Sequence, residues 1–175
     1  MRRLRYSVAA SLDGFIADTN GGYDWIIMDE DIDFASIFDQ FDAYVMGRKT
    51  WEVTTAADSA PAFGGDKEVI VFSTTLKDPG RPGVKIVNTP PAETVRELKQ
   101  KPGKDIWLFG GGSMFRTLVD ANLVDTVDIA IMPVLLSRGI PIVSPGARVA
   151  GLTLDKCEKL PKSGIVMLSY SIPPK

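Results

Sequence analysis

Ile106-Trp107-Leu108-Phe109-Gly110-Gly111-Gly112-Ser113 carries an apolar, strand-like run through three glycines into the start of a helical segment. Tyr44-Val45-Met46-Gly47-Arg48-Lys49-Thr50-Trp51-Glu52 makes the same passage earlier in the chain. A buried strand that gives way at glycine to a helix is the repeating unit of a parallel α/β sheet. Leu4 to Ala10, Ala43 to Met46, Glu68 to Phe72, Val84 to Val87 and Asp105 to Phe109 all read as buried strands bounded by turn residues. Between them, Asp31 to Phe41, Pro91 to Lys101 and Ser113 to Ala121 have helical length and period.

The pattern changes after Val124. Thr126 to Met132, Leu152 to Leu160 and Ile165 to Ile172 read as strands with no helix of useful length between them, so the sheet ends in antiparallel strands. Pro161-Lys162-Ser163-Gly164 supplies the last turn. No repeat or linker divides the 175 residues, which are expected to form a single domain over 1–175.

A net charge of −2 from 20 basic and 22 acidic residues gives no broad footprint for nucleic acid or an anionic membrane. The apolar run Ile129 to Leu136 is far shorter than the roughly 18 residues a membrane span needs. The lone Cys157 cannot form an internal disulfide, so a reducing cytoplasm is expected, with no structural zinc site. The chain has no histidine, which removes histidine-dependent triads and leaves chemistry in which a cofactor brings the reactive group.

Three strand ends offer anion-binding groups. At Gly47-Arg48-Lys49-Thr50, a helix start, two cations and a hydroxyl come together; equally, Gly47 permits a turn and both cations are solvated. Gly110-Gly111-Gly112 lets a ligand approach the backbone, though a triple glycine is often only a turn and this is not the spaced dinucleotide fingerprint. Ser73 and Thr74 follow a third strand, and all three ends belong on the carboxyl edge, where open α/β sheets bind ligands. Ser11 to Ala17, followed by Asn20-Gly21-Gly22, reads as a flexible covering loop or as an Asp13-Gly14 surface turn.

Ser11-Leu12-Asp13-Gly14, Met46 to Glu52, Phe72-Ser73-Thr74 and Phe109 to Phe115 stand in the order and spacing of the dihydrofolate reductase superfamily, which the chain resembles over nearly its whole length. Pro133-Val134-Leu135-Leu136-Ser137-Arg138-Gly139-Ile140-Pro141-Ile142 is most similar to the C-terminal reductase domain of bacterial riboflavin-biosynthesis enzymes. The resemblance implies a three-layer dihydrofolate reductase-like α/β fold, with a mostly parallel central sheet and antiparallel C-terminal strands. It implies NADPH, with Gly47, Arg48, Lys49 and Thr50 at its phosphates and Ser73 and Thr74 near the 2′-phosphate. Gly110, Gly111, Gly112, Ser113 and Met114 would run along the pyrophosphate and nicotinamide, with the Gly111–Gly112 peptide cis. Ser113 stands where many dihydrofolate reductases have arginine.

An acidic residue of the first helix holds the pterin in dihydrofolate reductases. An ungapped count places Asp31 there, with Asp33 and Glu30 competing, while the same residues read as an ordinary acidic helix start. The expected activity is hydride transfer from NADPH to a small heterocyclic or ribityl substrate. The riboflavin-pathway phosphoribosylamino-uracil ranks first and dihydrofolate second, with a broader-specificity reductase of another substrate as a further alternative. Asp31, Asp33 or water would be the proton source, and a carboxyl group serves only in apolar surroundings such as Trp25 and Phe34. A nucleotide-binding protein without catalysis is the alternative of another class. The apolar C-terminal strands offer an isologous homodimer interface.

Overall fold

The computed structural model describes residues 1–56 and 67–173. Its elements in chain order are β1 (Leu4–Ser11), β2 (Phe15–Ala17), α1 (Phe34–Asp39), β3 (Phe41–Gly47), α2 (Arg48–Ala56), β4 (Glu68–Phe72) and β5 (Val84–Val87). There follow α3 (Pro91–Gln100), β6 (Asp105–Gly110), α4 (Gly112–Asp120), β7 (Thr126–Met132), β8 (Ile140–Pro141), β9 (Thr153–Lys159) and β10 (Val166–Ser171).

Eight strands make one sheet in the order β5-β4-β3-β6-β1-β7-β10-β9. The first six in that order are parallel; β10 pairs antiparallel with β7, and β9 pairs antiparallel with β10 to complete it. Because the side-chain period of a strand is two, each central strand feeds both faces. Leu4, Tyr6, Ala43, Val45, Ile106 and Leu108 enter a core with Phe115 and Leu118 of α4 and Val95 and Leu98 of α3. On the opposite face Tyr44, Met46, Val69, Val71 and Trp107 pack with Trp51 of α2 and with Ile37 and Phe38 of α1. A third cluster, Met132, Leu160 and Ile165, is covered by Trp25, Ile26 and Ile32. Both faces of the central strands are buried, which explains their nearly continuous apolar runs.

Two expectations need correction. The helix expected from Asp31 to Phe41 is only Phe34–Asp39, because Asp33 caps it, its carboxylate accepting from the Ser36 N–H at 2.9 Å. Upstream, Ile32 N–H bonds Asp29 C=O in a separate turn, and Phe41 already belongs to β3, fully buried. The segment read as a flexible covering loop is held instead. β2 pairs with β8, Leu12 N–H donates to Val134 C=O at 2.8 Å, and Ile142 N–H donates to Gly14 C=O at 2.9 Å. A strand of three residues paired with one of two carries too short an alternation to read from sequence.

Candidate functional site

The parallel strands β1, β3, β4, β5, β6 and β7 all end on one edge, which places Gly47, Phe72, Val87 and Gly110 side by side in the sheet. A cleft of about 400 Å³ opens there, lined by Arg48, Phe72, Ser73, Thr74, Thr75, Val87, Asn88, Thr89, Pro91 and Met114. It therefore joins residues from three strand ends with the first turn of α4. Asn88 and Thr89 went unnoticed in the sequence. Their signal was present, since Asn88-Thr89-Pro90-Pro91 follows β5 directly at the same edge.

Arg48 opens α2 and is bound by Glu52 one turn on, its Nη1 donating to both carboxylate oxygens at 2.7 and 2.9 Å. Both side chains are well exposed, 38% and 47%, so this pair is weak. A phosphate entering the cleft would meet the guanidinium held by a partner it can replace. Ser73 Oγ accepts from the Thr75 and Leu76 N–H groups at 3.1 and 2.8 Å, so the hydroxyl that faces the cleft also shapes its turn. Thr74 is exposed beside it. Lys49 is exposed and makes no ion pair among the described residues.

Thr50 brings the two glycine turns together. A Cβ built on Gly110 or Gly111 would lie 3.5 or 3.6 Å from Thr50 Oγ1, and one on Gly47 would lie 3.9 Å from Met114 Cε. Gly111 is the N-cap of α4 and gives it no side-chain cap. The opening N–H groups of that helix thus lack intrahelical partners and a side-chain acceptor, which is the condition for anion binding at a helix start. Ser113 is exposed and supplies no cation there.

Gly112 serves a different purpose. Its Cβ would fall 2.4 Å from the Pro141 carbonyl oxygen, so the 141–142 backbone fits against α4 only because residue 112 is glycine. Tyr6 fastens the same segment, its buried hydroxyl donating to Ile142 C=O at 2.8 Å while the ring stacks on Phe115 with centroids 4.1 Å apart. Burial pushes the Tyr6 phenol well above its ordinary pKa, so it stays a donor. The cis peptide expected at Gly111–Gly112 lies one bond earlier, at Gly110–Gly111. Gly112 is already the first residue of α4, so the irregular bond belongs to the turn before it.

Asp13 ties the N-terminal loop to the segment after β7. Its carboxylate accepts from Ser11 Oγ at 2.7 Å and from the Leu136 and Ser137 N–H groups at 3.1 and 2.7 Å. The Ser11 hydroxyl, with the two backbone donors, holds this carboxyl below the usual carboxylate range.

Asp31 and Asp33 stand apart from the cleft. Asp33 is the exposed cap of α1. Asp31 accepts from Lys162 Nζ at 2.9 Å in the turn between β9 and β10. That turn lies toward β10, three strand spacings from β6, or roughly 15 Å across the sheet from the Gly110 turn. Asp31 is 41% exposed and faces an ammonium, not the apolar surroundings a proton-donating carboxyl was expected to need. Asp29 is the buried acid of this segment, with Oδ1 accepting from the Asp31 N–H. Among the described residues no group of three or more His, Cys, Asp or Glu side chains could hold a metal ion, and no helix is long and apolar enough to cross a membrane.

Residues 2–166 match the family described as the RibD C-terminal domain. The uncharacterised protein YyaP of Bacillus subtilis strain 168 is 33% identical over 179 residues, covering 97% of this chain and 94% of the relative. Among solved structures, a protein of Shewanella sp. PV-4 assigned to riboflavin biosynthesis superposes with a TM-score of 0.81 at 25% identity, with 99% of both chains covered. Dihydrofolate reductase from Enterococcus faecalis, solved with NADP(H), shares the fold with a TM-score of 0.70 at 15% identity, covering 97% of this chain and 95% of its own.

Proposed function

The chain belongs to the RibD C-terminal domain family, a family of riboflavin-pathway, dihydrofolate reductase-like reductases, and from that premise we propose that it is an NADPH-dependent reductase of a small heterocyclic or ribityl substrate. The observation that carries this reading is the cleft in which Arg48, Ser73, Thr74 and Met114 converge at the carboxyl edge of the sheet. The residues fit a dinucleotide phosphate: one guanidinium held by a replaceable partner, a row of hydroxyls, and a helix start without a side-chain cap.

NADPH, when bound, supplies the hydride. Arg48, with Thr50 and the α2 backbone, would hold a phosphate; Ser73 and Thr74 would receive the 2′-phosphate; Gly110 to Met114 would lie along the pyrophosphate and nicotinamide side. Lys49, exposed next to Arg48 in the chain, would add charge without a fixed contact. The rest of the protein aligns the acceptor carbon and excludes water, which is how a reductase without a metal gains most of its rate. With Asp31 engaged by Lys162 and Asp33 by the α1 N-terminus, water is the favoured proton source.

The leading acceptor is 5-amino-6-(5-phosphoribosylamino)uracil, on the strength of the family and of the Pro133–Ile142 segment. Dihydrofolate ranks below it, because the acid that would hold a pterin is paired with Lys162 at the surface. The test is an anaerobic NADPH titration followed by the absorbance decay of NADPH with each acceptor. Binding with oxidation on the uracil supports the proposal. Binding without oxidation on either substrate removes both named acceptors and leaves a reductase of another substrate or a nucleotide-binding protein, and absence of binding overturns the reading altogether.

A further inference from the structure

We propose that Asp128, with Ser7 and Ser169, forms the floor of the acceptor site and receives the N–H and amino edge of a neutral, flat heterocycle; the identity of that ring as hydride acceptor rests on the reductase reading. β1 and β7 are inner strands of the sheet, yet Ser7, Ala9, Asp128 and Ala130 in their middles are only half buried. They share the face of Trp107 and Phe109: Ser7 pairs in register with Asp128 and Ala9 with Ala130, and Arg5, two residues before Ser7, pairs with Trp107. The covering layer is interrupted there. Ile37 and Phe38 of α1 pack on the Trp107 side, Trp25, Ile26 and Ile32 pack on the Met132 side, and the small Ala9 and Ala130 leave depth beside Asp128.

The hydrogen bonds in this trough run one way. Asp128 Oδ2 accepts from Arg5 Nε at 2.9 Å and from Ser7 Oγ at 3.1 Å, and Oδ1 accepts from Ser169 Oγ at 2.5 Å. A carboxylate facing a guanidinium cannot donate, so each hydroxyl spends its single proton on Asp128 and turns only lone pairs outward. The three side chains therefore offer acceptors alone. Arg5 brings no spare charge, because it lies between Asp128 and Asp105, 3.5 Å from the latter, and Arg3 engages Asp105 as well. A phosphate or carboxylate would meet lone pairs of its own kind here, whereas a ring edge with N–H and NH2 donors is matched. Phe109 continues the β1–β6 register to stand level with Ser7, two strand spacings or about 10 Å from Asp128, and Gly110 of the proposed nicotinamide side follows it. A ring whose donor edge rests on Asp128 thus extends toward the hydride.

Two probes that differ in their donors test the assignment: 5,6-diaminouracil and its 1,3-dimethyl derivative, in which both ring N–H groups are methylated. Each is titrated into 15N-labelled wild type, Asp128→Asn and Ser7→Ala, with and without NADPH, while the backbone amide shifts are followed. Wild type should show saturable shifts at Ser7, Phe109 and Asp128 and bind the dimethyl compound at least about tenfold more weakly, because a site built of acceptors is left unpaired without the donors. In Asp128→Asn, whose amide can donate, that ratio should collapse to about twofold or less. Asparagine is isosteric, so exclusion of the methyl groups by size alone would keep the ratio, and a purely structural Asp128 would lower both affinities together. Ser7→Ala leaves the Arg5–Asp128 pair in place and should narrow the ratio about threefold. No saturable shift around Ser7 and Asp128, equal affinity for the two probes in wild type, or an unchanged ratio in both variants overturns the proposal. Loss of NADPH binding with diaminouracil still seated on Asp128 sinks the cofactor reading and supports the site.

Discussion

The two glycine turns look alike in sequence and do different work. Around Gly47 the backbone is open, and an added Cβ would meet only the end of Met114 at ordinary contact distance. Around Gly110 to Gly112 it is closed in: Gly110 has φ +144°, which side-chain-bearing residues avoid, and a Cβ on Gly112 would collide with the Pro141 carbonyl. The first turn owes its interest to Arg48, which lines the cleft. The second is required by the fold before any ligand is considered. A run of glycines thus reports close packing of backbone as readily as a phosphate cradle.

Substitutions can break that contrast. Gly112→Ala should have the largest effect, because displacing the 141–142 backbone costs about 2 to 3 kcal/mol, whereas the gain in helix propensity is about 1 kcal/mol at most. Its melting temperature without cofactor should fall by several degrees. Gly110→Ala comes next, with a backbone cost of order 1 to 3 kcal/mol from its positive φ. Gly47→Ala, by contrast, should leave melting within about a degree, since nothing crowds its Cβ. Equal losses at Gly47 and Gly112 would erase the distinction between the turns.

The Asp13 tie sharpens the same point from the loop side. Its folded carboxyl is depressed, so the ionised form stabilises the tie fully above its unfolded value near 3.8 and loses that contribution as pH falls through the lower, folded value. Asp13→Asn should therefore melt below wild type at neutral pH and converge with it below about pH 4. A gap that stays constant across that range would mean the carboxylate charge is immaterial. The smallest effect belongs to Glu52→Gln, which frees Arg48 and should tighten NADPH binding by about two- to threefold, in keeping with the weakness of an exposed i,i+4 pair.

Most of the architecture was legible from short apolar or β-branched runs bounded by turn residues: the inner strand Glu68–Phe72, the edge strand Val84–Val87 and Thr126–Met132 all have limits that match the expectation residue for residue. The carboxyl-edge cluster was legible for a related reason. Parallel strands deliver their ends to one edge, so turn residues after β3, β4 and β6 become neighbours whatever their separation in sequence. What escaped depends on long-range contact. Gly139 sits in Pro133–Ile142 because its Cβ would strike the Ala17 carbonyl at 2.2 Å, a requirement created by the β2–β8 pair and invisible from either segment alone. The acidic run Asp29 to Asp33 offered several equivalent carboxylates, and only the tertiary structure separates the buried Asp29, the Lys162-bound Asp31 and the capping Asp33.

In the proposed function, Arg48 and the cleft beside it receive the phosphates of NADPH. Fluorescence titration of wild type and Arg48→Ala with NADPH tests it most directly, with the melting temperature of each free protein as a control. Wild type should bind saturably, Arg48→Ala about tenfold more weakly, as expected for loss of one charge-assisted hydrogen bond, and the free variant should melt unchanged. Equal affinity in the two proteins, or no binding by wild type, would contradict it.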